Sequence, residues 1–249
     1  AVGFLLLIPL ITELIYQTES WQSYAVPILL YLIVGGSLVI TNRNVELKIS
    51  IKEAYIITVL SWILLAILCA IPFIYTQMKL SIVDAIFESM SGITTTGSTI
   101  LNNLDELPKG ILIWRALLQW LGGIGIVVIA LVILPFLRIG GMQLFHLEGD
   151  DPYDKFLPKI SSVVSKIVIV YSALTVLLII LYFTNGMTLF DAIAHSFTTI
   201  STGGFSTHND SFAYFENTAI LNIAIIFMIL GSFPFLVLAQ CNFKNISLV

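Results

Sequence analysis

The chain alternates between long apolar blocks and short polar connectors. Six blocks approach the roughly 20 residues needed for a spanning helix: Val2 to Tyr16, Tyr24 to Ile40, Ala54 to Tyr75, Ile111 to Leu137, Ser161 to Phe183 and Asn217 to Gln240. The fourth is long enough that it must tilt, bend or protrude. Its Gly122-Gly123-Ile124-Gly125 stretch predicts a bend or a close helix contact there. Two further segments, 77–110 and 184–216, are too polar to cross, yet each holds a short amphipathic stretch. Such a half-length helix in a long loop predicts a re-entrant segment, and irregular backbone at membrane depth survives only when buried in protein or lining a water-filled cavity.

The two loops are copies of one another. With a shift of 107 residues, 84–99 lies over 191–206 without a gap, and Asp84/Asp191, Ala85/Ala192, Ile86/Ile193, Ser89/Ser196, Ile93/Ile200, Thr95/Thr202 and Gly97/Gly204 are identical. Chance similarity between apolar stretches would favour Leu and Ile over a coincident Asp, Thr and Gly. The chain therefore predicts two repeats of span, short helix, Thr/Gly turn and span. They are parallel, because an even number of crossings separates them, unlike the inverted repeats of many secondary transporters.

Each short helix carries a start signal, Ser81-x-x-Asp84 and Thr188-x-x-Asp191, in which the hydroxyl caps a free N–H and the acid sits at the positive end of the dipole. These four residues are read first as helix caps. A helix that starts at the outer rim and ends at the turn would aim its negative end at the cavity, where a cation is stabilised. The turns, Thr94-Thr95-Thr96-Gly97 and Ser201-Thr202-Gly203-Gly204, suit a strand offering backbone carbonyls to a dehydrated ion, with glycine where only glycine adopts the required dihedrals cheaply. A plainer reading makes Gly97 and Gly204 C-caps of the short helices.

Charge fixes the direction. With the first connection outside, Arg43, Lys48, Lys52, Arg138, Lys155, Lys159, Lys166 and Lys244 fall on the cytoplasmic side, and only Lys79, Lys109 and Arg115 outside, a positive-inside bias. The expected organisation is an N-terminal transmembrane hairpin (1–42), a cytoplasmic connector (43–53), a first repeat (54–137), a second cytoplasmic connector (138–160), a second repeat (161–240) and a cytoplasmic tail (241–249). The fold class is all-α: about six transmembrane helices plus two re-entrant pore helices.

Composition agrees. Hydrophobic residues make up 58% of the 249 and charged residues 10%, with a mean hydropathy of +1.00, whereas soluble proteins carry roughly 25% charged residues. A net charge of −4 argues against nucleic acid, which calls for a basic patch. Cys69 and Cys241 read as packing residues, and His146, His195 and His208 form no metal-binding pattern. No nucleophile, general base or metal constellation points to an enzyme. The chain opens at Ala1 inside an apolar run and reads as a piece of a longer protein.

Among single residues, Arg115 beside Trp114 reads as a snorkelling arginine at the outer interface; the sharper alternative is a buried pair with Glu88 that braces the turn. Asp105, Glu106, Asp210 and Glu216 read as solvated loop charges outside, and Asp150 and Asp151 as solvated charges on the cytoplasmic side.

At SGITTTGST (91–99), FTTISTGGFSTHNDS (197–211), RIGGMQLFHLE (138–148) and LGGIGI (121–126), the chain resembles the Trk/Ktr/HKT superfamily of potassium transporters, in its bacterial TrkH branch. The resemblance covers nearly the whole chain. It implies a pore of four span–pore helix–span repeats, of which this chain holds two. It implies K⁺ as the transported ion, coordinated by backbone oxygens of Thr94, Thr95, Thr96, Gly97, Ser201, Thr202, Gly203 and Gly204, in the bacterial inner membrane and without an organic cofactor. It further implies a second-half chain or a homodimer to complete four filter loops, and a cytosolic TrkA-type nucleotide-binding regulatory ring docking near 138–160 and Lys244. The alternative is a non-conducting remnant or interaction subunit that keeps the fold without a complete pore.

Overall fold

A computed structural model describes residues 2–18, 21–43, 51–76, 80–133, 152–233 and 235. The sequence expectations for Lys48, Lys79, Arg138, His146, Asp150, Asp151, Cys241 and Lys244, and for the starting part of the second connector, lie outside these residues.

The described residues form helices and turns only, as a bilayer requires of backbone that must satisfy its own hydrogen bonds. In chain order they are α1 (Val2–Leu5), α2 (Leu7–Ile15), α3 (Gln22–Thr41), α4 (Ile51–Tyr75), α5 (Ile82–Ile93), α6 (Lys109–Ile133), α7 (Pro152–Thr184), α8 (Leu189–Ile200) and α9 (Thr218–Ser232). Short 3₁₀ turns occupy Leu104–Glu106 and Ser211–Phe215. Among the described residues, four helices are long and apolar enough to cross a membrane, within α3, α4, α6 and α7. The first predicted span is interrupted at Leu6. The third and fifth begin earlier than hydropathy suggested, at Ile51 and Pro152, because polar residues extend a helix as readily as apolar ones once it has begun.

Packing follows the repeat. Each short helix lies against the preceding long one, α5 on α4 and α8 on α7, and against the following one, α5 on α6 and α8 on α9. The repeats join where α6 packs on α8, and the N-terminal pair joins through α2 on α6. Helix α6 is therefore central: 56% of its most apolar stretch is buried, against 28% for α4 and α7 and 17% for α3. Large apolar side chains on α3, α4, α7 and α9 are left exposed, among them Ile33, Leu60, Ile169 and Ile225, as expected of surfaces that face lipid. Gly122 answers the question posed by the glycine-rich stretch. A Cβ there would fall 1.9 Å from the carbonyl oxygen of Ile93, so this glycine lets α6 approach the end of α5.

Candidate functional site

The two short helices begin alike. The Ser81 hydroxyl accepts the Asp84 N–H at 3.2 Å and donates to Asp84 Oδ2 at 2.7 Å. Thr188 does the same with Asp191, at 3.1 and 2.6 Å. Their N-cap dihedrals agree within 1°, at φ −63°, ψ 155° and φ −62°, ψ 156°. Both helices run 12 residues.

They also end alike, and not where the glycines are. Thr96 N–H donates to Ser91 O at 3.0 Å and Thr95 N–H to Gly92 O at 3.0 Å. In the second copy Gly203 N–H donates to Thr198 O at 2.8 Å and Thr202 N–H to Thr199 O at 3.0 Å. This nested pair of bonds is the Schellman closure. Its left-handed residue is a threonine in each copy, Thr95 at φ 56° and Thr202 at φ 54°. A β-branched residue there costs about 1–2 kcal/mol, which the closing bonds offset. Gly97 and Gly204, at φ 79° and 84°, lie two residues beyond the left-handed threonines and outside the closing bonds. The C-cap reading of these glycines is thereby corrected, and their positive φ belongs to the irregular segment that follows.

The two turns meet. A Cβ on Gly97 would fall 2.0 Å from the carbonyl oxygen of Gly203, whereas one on Gly204 would meet nothing within 4 Å. Thr96, Ser98, Thr202 and Gly204 are exposed, Thr94, Thr95 and Gly97 half-buried, and Ser201 and Gly203 buried.

Behind the turns lies a polar brace. Arg115 is only 1% exposed and Glu88 fully buried, with Nε 2.8 Å from Oε1. Arginine also donates to Ser206 O at 3.0 Å and Thr99 Oγ1 at 3.0 Å, and its guanidinium lies 4.2 Å from the centroid of the Phe205 ring. Glu88 further accepts from the Thr99 hydroxyl at 2.9 Å and the Ile100 N–H at 3.2 Å. The snorkelling reading is thus overturned, and Trp114, fully buried with its indole N–H on Cys69 O at 3.1 Å, is not an interfacial anchor. The second repeat places His195 at the position of Glu88 and Ser206 at that of Thr99. His195 Nε2 stands 3.1 Å from Ser206 Oγ, so the contact between short helix and post-turn hydroxyl recurs with an imidazole in place of the carboxylate.

Arg115, Gln119 and Gly122 occupy one face of α6 by their i, i+4, i+7 spacing. Gln119, fully buried, accepts the Phe205 N–H at 3.0 Å. Gly231 of α9 repeats the role of Gly122: a Cβ there would fall 2.5 Å from the carbonyl of Ile200. The sequence reading missed Gln119 and Gly231. The only signal was a polar or small residue at helical spacing inside an apolar block.

A latch joins the loops that follow the turns. His208 Nδ1 donates to Asp105 Oδ1 at 2.5 Å, while its Nε2 stands 3.3 Å from Asp191 Oδ1. Asn209 Nδ2 donates to Asp105 Oδ2 at 2.7 Å, and Asn209 Oδ1 accepts the Leu104 N–H at 2.9 Å. Asp105 is therefore a cross-repeat acceptor and more than a solvated charge, and Asp191 is a cap with a second task. The hydrogen bond from His208, aided by the Asn209 N–H, holds the Asp105 carboxyl below its ordinary value of 3.8. A depressed carboxylate adds stability that is complete above its ordinary value and lost as pH falls through the lowered one. Asp105→Asn is accordingly expected to reduce the melting temperature at neutral pH and to shrink the further loss on acidification toward pH 3, read by thermal unfolding in detergent across pH.

The fold and turns define a polytopic helical membrane protein built of paired span–short helix–span units. The sequence profile of the TrkH cation transport protein family matches residues 22–245, and the chain belongs to that family. It is 41% identical over 229 residues to the Trk system potassium uptake protein TrkH of Escherichia coli, covering 91% of this chain and 47% of that protein. It is 35% identical to TrkI of Halomonas elongata, covering 92% and 46%. The crystal structure of the potassium transporter TrkH from Vibrio parahaemolyticus superposes with a TM-score of 0.79 at 37% identity, over 92% of this chain and 46% of that one. The chain thus spans about half the length of the relatives it matches.

Proposed function

We propose that this chain supplies half of the ion pathway of a Trk-type K⁺ uptake system. The supporting observation is the paired turn: two segments 107 residues apart share the same cap, the same closing bonds and the same left-handed positions, and they meet at Gly97 and Gly203. In this reading backbone oxygens of Thr94, Thr95, Thr96, Gly97, Ser201, Thr202, Gly203 and Gly204 replace the water of a K⁺ ion, while the capped helices direct their negative ends toward it.

The family membership favours K⁺ as cargo, since the relatives are named as potassium uptake proteins. The repeats are residues 54–137 and 161–240, joined by cytoplasmic connectors, in the bacterial inner membrane. A complete ring of four turns requires a second-half chain or a second copy, and the inner face receives a TrkA-type regulatory ring.

The test is growth of a K⁺-uptake-deficient cell at low K⁺, with this chain expressed alone and with a second-half partner. Rescue that disappears in a Gly97→Ser variant still present in the membrane at wild-type level supports the proposal. No rescue in any combination favours a non-conducting remnant.

A further inference from the structure

We infer that Gln119 is a positioning residue for ion selection, its amide setting how the two turns sit against each other. The inference rests on the pore reading above and adds a specificity determinant to it.

A carboxamide sealed inside an apolar span is costly unless its polar atoms are used. Half of Gln119 is used: Oε1 accepts the Phe205 N–H at 3.0 Å. The other half is buried and lacks a hydrogen-bond partner among the described residues. That spare N–H lies at the junction of the turns. A Cβ on Gly203 would meet the whole Gln119 carboxamide, at 2.3 Å from Cδ, 2.4 Å from Oε1 and 2.7 Å from Nε2, and one on Gly97 would fall 3.7 Å from Nε2. Holding Phe205 needs only an acceptor, and filling the space needs only an aliphatic chain. An amide supplies in addition a donor facing main chain whose carbonyls are the proposed ligands. The positive end of that N–H dipole, placed beside those carbonyls, tempers the field they present to an ion, and the number and strength of such dipoles govern discrimination between alkali ions.

The second repeat lacks this device. Gly122 and Gly231 serve the same role under Ile93 and Ile200. Three residues before Gly231 stands Met228, which is exposed, where Gln119 stands three before Gly122. The junction between the first and second turns is therefore chemically distinct.

The experiment uses the assembled transporter, this half with its second half, in K⁺-uptake-deficient cells, and measures Rb⁺ uptake against Na⁺ competition. Gln119→Met, similar in size without donor or acceptor, is expected to lower discrimination about tenfold. Gln119→Glu keeps the acceptor and regains a donor only when protonated. Its discrimination should be near wild type at acid pH and fall at alkaline pH, where wild type stays flat; a residue that merely fills space would give no such profile. Wild-type discrimination in Gln119→Met, or a flat profile in Gln119→Glu, overturns the inference and leaves the pore reading standing. Absence of Rb⁺ uptake by the unmutated assembly removes the pore reading and this inference with it.

Discussion

Gly97→Ala is expected to destabilise the protein severely, and Gly204→Ala only mildly. Both glycines hold a positive φ, 79° and 84°, and alanine in that region costs about 1–2 kcal/mol. At Gly204 the cost ends there, because the added methyl enters open space. At Gly97 the methyl would land 2.0 Å from the Gly203 carbonyl oxygen. Backbone of the sister turn cannot swing away as a side chain does, and forced overpacking adds about 1–3 kcal/mol. The two losses together reach roughly 2–5 kcal/mol. Thermal unfolding of the purified variants measures the contrast. Equal shifts at the two positions would contradict the meeting of Gly97 with Gly203.

The second large effect is at the buried ion pair. Arg115→Met leaves the Glu88 carboxylate sealed from water with its main cation gone, and losing one partner of such a pair costs about 3–5 kcal/mol. Glu88→Gln should also lower assembly and uptake. Three donors converge on that carboxylate, from Arg115, Thr99 and Ile100, while an amide turns its own N–H toward them. The double variant Arg115→Met/Glu88→Gln removes both charges, and its loss should be smaller than the sum of the two single losses by about 0.5–3 kcal/mol. A double-mutant cycle on melting temperature and surface expression measures this, and strict additivity would show the pair to be uncoupled.

Much of the architecture was legible before any coordinates. The spans follow from apolar length, and the short helices from the spacing of Ser81 to Asp84 and Thr188 to Asp191, because capping is a local matter. The repeat itself was legible because Asp, Thr and Gly at fixed intervals are improbable by chance. The details that escaped are those set by distant segments. Arg115 near the end of a span resembles any snorkelling arginine until Glu88 of α5 and the Phe205-Ser206 segment close on it. Asp105 resembles a solvated acid until His208, 103 residues away, closes on it. The closure at Thr95 and Thr202 escaped for another reason. Left-handed threonine is intrinsically unfavourable, so propensity pointed to the neighbouring glycines, whereas the nested closing bonds determined the outcome.

Helix α6 reaches the first turn through Gly122 under Ile93 and the second through Gln119 and Arg115. Both turns are thus mounted on a single rod. A tilt of that rod would pull on both of them at once, as one lever and not as two separately adjustable jaws.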